Sequence, residues 1–128
     1  MATIKSYTDI EQSKKLAEIL PLESADMEYL AIKENGALVG AVPFVKDDSE
    51  VEDSAYSHIY DRIACWSLAA LLSFLPDGTD IIKEEADTEN EKYMCTVGVK
   101  DDIISTFGNN PIDACVAMIE KLHELNLL

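Results

Sequence analysis

The sequence predicts an α+β fold, in which about three helices pack on a small, mainly antiparallel sheet within a single domain, residues 1–128. The length of 128 residues fits one domain, because domains commonly run about 100–150 residues. Apolar residues near both ends recur at helical spacing. Between them, the dipeptide Asn35-Gly36 separates two extended segments, which is typical of a β-hairpin.

The first and last helices are predicted from their start signals and apolar spacing. The first spans about 9–20, with Thr8 as N-cap and Glu11 completing a capping box. The last spans about 111–125 and begins after Asn110, an N-cap residue followed directly by proline at the first helical position.

A third helix is predicted within the apolar run 64–75. Ser67 is a suitable cap, and the leucines that follow form one stripe, so we expect this to be the most buried helix. Trp66 precedes the stripe and is expected to anchor the core. Residues 56–61 alternate polar and apolar side chains and predict a short extended stretch before this run.

Two hairpins account for the predicted strands. The first pairs 28–34 with 37–45, and the second pairs 81–85 with 92–100. Pro43 has no N–H to give to a β-ladder, so its strand should lie at an edge of the sheet or turn that nitrogen outward.

The charge balance excludes two classes of partner. The chain has 25 acidic and 10 basic residues, a formal net charge of −15. Nucleic-acid phosphates and anionic membrane surfaces should repel it, and Arg62 is its only arginine. Ten of the acids fall in the segments 47–53 and 84–91, which either form a recognition surface or only confer solubility.

The sequence favours a cytoplasmic protein. The N-terminus lacks the apolar region of a secretory signal, and no run is long enough to span a bilayer. The cysteines, Cys65, Cys95 and Cys115, are odd in number and widely spaced. That pattern indicates buried, reduced thiols rather than a disulfide framework or a zinc site.

Three blocks resemble small uncharacterised proteins of gut Bacteroidales and their phage-like or mobile elements. They are residues 20–27 (LPLESADM), 64–72 (ACWSLAALL) with 75–76, and 110–115 (NPIDAC) with 127–128. The resemblance implies an intracellular accessory protein of phage or prophage origin, and it carries no catalytic residues.

A catalytic site would have to use Cys65 as nucleophile and His58 as its base, with Tyr60, Asp61 or Asp53 orienting the imidazole. An inert thiol in an apolar helix entrance is the competing interpretation. A binding role is considered for Glu23, Ser24 and Asp26, since their block has no obvious structural requirement, whereas a capped turn is the alternative.

The sequence therefore predicts a non-catalytic protein-interaction domain that needs no metal and no cofactor. The segment 47–53 has no glycine and lacks the ligand order of a calcium loop, and no phosphate-binding motif occurs. The expected partner is another protein, with homo-oligomerisation left open. The alternatives are a small enzyme or ligand-binding protein with a pocket near His58 and Cys65, and an acidic DNA mimic.

Overall fold

The computed structural model describes residues 5–35, 37–45, 60–84 and 92–128. Their helices and antiparallel sheets confirm the α+β class. The chain divides into two compact units: Asp9–Trp66, and Ser67–Leu128 together with the N-terminal segment that ends at Thr8. The predicted extent of the domain, 1–128, stays a prediction.

The described residues of the first unit form one α-helix, one 3₁₀ turn and one sheet. Its elements in chain order are α1 (Ile10–Ile19), the 3₁₀ turn (Leu22–Ser24), β1 (Met27–Glu34), β2 (Ala37–Val45) and β3 (Tyr60–Cys65). The strands pair antiparallel in the order β2-β1-β3, so β2 lies at an edge of this sheet among the described residues. The hairpin of β1 and β2 and the edge position expected from Pro43 are confirmed.

The start of α1 corrects the predicted cap by one residue. Asp9, not Thr8, is the N-cap: its carboxylate accepts from the Gln12 backbone N–H at 2.8 Å. The Asp9 N–H donates back to the Gln12 side chain at 3.1 Å. Because Asp and Thr are both preferred N-cap residues, with Asp the better of the two, the sequence Thr8-Asp9 offered two starts. Thr8 is buried instead.

Where the second unit is described, it has two helices and the other sheet. Its elements are α2 (Leu68–Phe74), β4 (Asp80–Glu84), β5 (Lys92–Val99), β6 (Asp102–Gly108) and α3 (Pro111–Glu124). The strands pair antiparallel in the order β4-β5-β6, and α3 packs on β5 and β6. The strands of the described ranges thus form two three-stranded sheets, where the sequence predicts one.

The prediction that the central helix would be the most buried is wrong. Leu71 is the one buried residue of α2, a helix of 7 residues. By contrast, α3 has 14 residues and seven buried side chains. Both predicted caps are confirmed, since the Ser67 and Asn110 side chains accept the backbone N–H groups of Ala70 and Asp113.

Candidate functional site

The proposed nucleophile, Cys65, lies in a strand rather than at a helix entrance. It is the last residue of β3 and is fully buried. Asp61 lies on the same strand four residues earlier, about 13 Å away at the rise of a β-strand. Its carboxylate is exposed and forms an ion pair with Lys33. The structure therefore does not bring Asp61 to Cys65, and His58 lies outside the described residues.

Ser24 has a clear structural role. Its hydroxyl donates to the Pro21 carbonyl at 2.5 Å and accepts from the Trp66 indole N–H at 3.0 Å. Trp66 is fully buried, as predicted for a core anchor, and a buried indole needs an acceptor. Glu23 and Asp26 are exposed beside this turn.

A cleft of about 460 Å³ opens beside β3 within the first unit. Its lining residues are Lys14, Ala17, Leu22, Met27, Glu28, Arg62, Ile63 and Ala64. The Arg62 guanidinium lies 3.5 Å from the Glu28 carboxylate. The lining contains no hydroxyl, thiol or imidazole, and neither Asp61 nor Cys65 contributes to it. The cleft therefore offers an apolar floor and charges, but no nucleophile for the predicted chemistry.

The edge strand β2 is the most unusual surface in the first unit. Its nine residues carry no charge, although the chain as a whole has a net charge of −15. Five of its large apolar side chains are exposed, to fractions between 44% and 75% of their surface: Leu38, Val39, Val42, Phe44 and Val45. Within the described ranges, no strand pairs with its outer side.

A β-bulge modifies the edge near the hairpin turn. Lys33 pairs with Leu38 and Ile32 pairs with Gly40, so Val39 has no partner residue on β1. Extra residues of this kind twist an edge locally. Val39 is more than half exposed, and it therefore presents an apolar side chain near the turn end of β2.

Sequence reasoning found this strand but did not identify it as a site. The signal that could have found it is the uncharged run from Ala37 to Val45, which ends shortly before the acidic segment 47–53. The segments 47–53 and 85–91 lie outside the described residues. Whether their acids form a recognition surface stays a prediction.

Comparisons with known protein families, curated proteins and solved structures found no match. No helix in the described part of the chain is long and apolar enough to cross a membrane. Among the described residues, no group of three or more His, Cys, Asp or Glu side chains is placed to hold a metal ion.

Proposed function

We propose that this chain is a non-catalytic protein-interaction domain, and that β2 is its binding element. An extended segment of another protein adds to β2 as a further antiparallel strand. The observation that carries this proposal is the uncharged edge strand with five exposed large apolar side chains.

The backbone of β2 supplies the affinity in this proposal. An edge strand presents a row of N–H and C=O groups to whatever lies beside it, and an added strand satisfies them. Edge strands that stay uncovered usually carry charged residues that discourage pairing. β2 has no charged residue, and this absence favours a strand that pairs with another segment.

The side chains of β2 set the partner's apolar character. Neighbouring residues of a strand point to opposite faces of the sheet. Phe44 and Val45, at the end of β2, are both exposed, so apolar surface is available on each face. A partner segment with apolar residues at successive positions could cover both.

The net charge of the chain favours a partner segment of opposite charge beside β2. Two chains of −15 each repel one another, which opposes a second copy as the occupant. The same charge attracts a segment flanked by Lys or Arg. The partner is therefore an extended apolar segment of another protein with positive flanks.

The biological setting of this proposal comes from the sequence. The resemblance of residues 20–27, 64–72 and 110–115 to proteins of Bacteroidales phage-like elements supports an accessory role in the cytoplasm. A phage or host protein would then supply the segment that binds β2.

Photo-crosslinking in cells tests the proposal. Val39 is replaced by benzoylphenylalanine, and the matched control carries it in place of Ile103, an exposed apolar residue of β6. We expect position 39, but not position 103, to crosslink to one segment of one other protein, identified by mass spectrometry of the linked peptides.

Two outcomes would overturn it. Equal crosslinking from both positions would show that β2 is not selective. Crosslinks from position 39 to β2 of a second copy would make the occupant this chain itself.

A further inference from the structure

Two thiols meet within the second unit. Cys95 lies on β5, the middle strand of its sheet, and Cys115 lies on α3. Both are fully buried. Neither residue belongs to β2, so the chemistry of this pair is independent of the proposed binding function.

The packing of α3 on the sheet brings these two residues together. Thr106 of β6 is the register partner of Cys95, so their side chains share one face of the sheet. The Thr106 hydroxyl donates to the Ala114 carbonyl at 2.8 Å, and Ala114 immediately precedes Cys115. The face that holds Cys95 is therefore the face that α3 covers.

Gly108 makes this close approach of strand and helix feasible. A Cβ at that position would lie 2.5 Å from the Ala114 nitrogen and 2.8 Å from Asp113. Because Gly108 has no side chain, the end of β6 can lie directly against the first turn of α3. This contact keeps Cys115 over the sheet.

The two thiols share a side-chain hydrogen bond. That bond lowers the pKa of Cys95 against the opposing effect of burial. The same bond, together with burial, raises the pKa of Cys115. Cys95 is consequently the thiol that more readily becomes a thiolate, the form that reacts with oxidants.

We propose that Cys95 and Cys115 are an oxidation site, at which hydrogen peroxide closes an intramolecular disulfide between β5 and α3. The Cys95 thiolate attacks one peroxide oxygen, an S–O bond forms and the O–O bond breaks. The hydroxide that leaves takes up the proton that Cys95 released and becomes water.

The Cys115 sulfur then closes the bridge. It attacks the sulfenic sulfur of Cys95, the S–S bond forms and the S–O bond breaks. The departing hydroxide takes the Cys115 proton and leaves as a second water. The two sulfurs lose two electrons in total, which reduce one peroxide to two waters. A dithiol reductant reverses the change by exchange.

Mass spectrometry of the purified full chain after treatment with hydrogen peroxide tests this site. We expect the intact mass to fall by about 2 Da, the loss of two hydrogens that accompanies a disulfide. Digestion without reductant should yield the Cys95 and Cys115 peptides linked. Dithiothreitol should restore the original mass.

Cysteine variants provide the controls. Cys65→Ala removes the third buried thiol and should still lose about 2 Da on oxidation. Cys115→Ala should show no such loss, because Cys95 can then only gain oxygen atoms and cannot form the disulfide. A bridge that includes Cys65, a disulfide between two chains, or oxygen addition without mass loss in Cys65→Ala would overturn the proposal.

Discussion

At the scale of single residues, the structure assigns roles that the sequence left open. Ser24 was a candidate for ligand binding, yet its hydroxyl accepts the indole N–H of buried Trp66. Cys65 was a candidate nucleophile, yet it is buried at the end of a strand and distant from Asp61. The role of Ser24 depends on a contact between residues 42 apart in the chain, which local sequence patterns do not encode. The place of Cys65 depends on where β3 ends, inside a continuous apolar run.

The hydrogen bond between Ser24 and Trp66 should contribute measurable stability. Ser24→Ala removes the acceptor of a buried N–H, and such a loss costs about 1–3 kcal/mol. A double-mutant cycle measures this contribution: urea unfolding gives the free energy of unfolding of the parent, Ser24→Ala, Trp66→Phe and the double variant. We expect Ser24→Ala to destabilise Trp66→Phe less than it destabilises the parent, and equal losses in both backgrounds would show that the bond contributes nothing.

The Cys95 and Cys115 pair should make the fold less stable in alkaline solution. Unfolded, each thiol titrates near its ordinary pKa of 9.0. Folded, the raised pKa of Cys115 keeps one proton bound that the unfolded chain releases. The free energy of unfolding therefore falls as pH rises above 9.0, by up to about 1.4 kcal/mol per pH unit for one proton.

Urea unfolding across this pH range, under reducing conditions, measures the effect. The double variant Cys95→Ala, Cys115→Ala should show a shallower alkaline decline than the parent chain. Cys65→Ala serves as the control for removing a buried thiol outside the pair. A double variant that declines as steeply as the parent would contradict the assigned direction for Cys115.

At the scale of elements, the sequence predicted those structures whose signals are local. The first hairpin has its Asn-Gly turn, and α3 has its cap and first-turn proline, so both were found. β6 was missed because its turn from β5 uses Lys100, which adopts a positive φ of 56° without being glycine or asparagine. The extended stretch predicted at 56–61 reaches only the first residues of β3, and its other residues lie outside the described ranges. The rest of β3 was missed because the run 64–75 continues without a break from the end of that strand into α2.

The exposed surface of β2 could not be predicted in the same way. Its hairpin partner and its edge position follow from the turn and Pro43. Its exposed apolar side chains depend on what the rest of the chain leaves uncovered. The pattern of an uncharged strand is equally typical of a buried one.

The junction of β6 and α3 gives a prediction at this scale. Gly108→Ala places a Cβ against the Ala114 backbone nitrogen, and overpacking of this kind costs about 1–3 kcal/mol. Gly98→Ala is the matched control, because nothing lies within 4 Å of a Cβ there. We expect urea unfolding to show a clear loss for Gly108→Ala and a small change for Gly98→Ala. Equal effects would contradict the tight junction.

At the scale of the whole molecule, the charge of −15 opposes self-association. We expect sedimentation velocity at low ionic strength to show a single copy, since exposed like charges are poorly screened there. A dimer under these conditions that Val42→Lys dissociates would identify a second copy as the occupant of β2. It would contradict the partner chemistry proposed above.

The central claim is that β2 binds an extended apolar segment of another protein. The most direct test is calorimetric titration of the crosslinked segment, as a synthetic peptide, into the purified chain. The double variant Val42→Thr, Phe44→Thr should bind the peptide about tenfold more weakly, equivalent to about 1.4 kcal/mol. Both substitutions remove exposed apolar surface from the edge. Ile103→Thr, on β6, should leave the affinity unchanged. Equal affinity of the peptide for the double variant and the parent chain would contradict the claim.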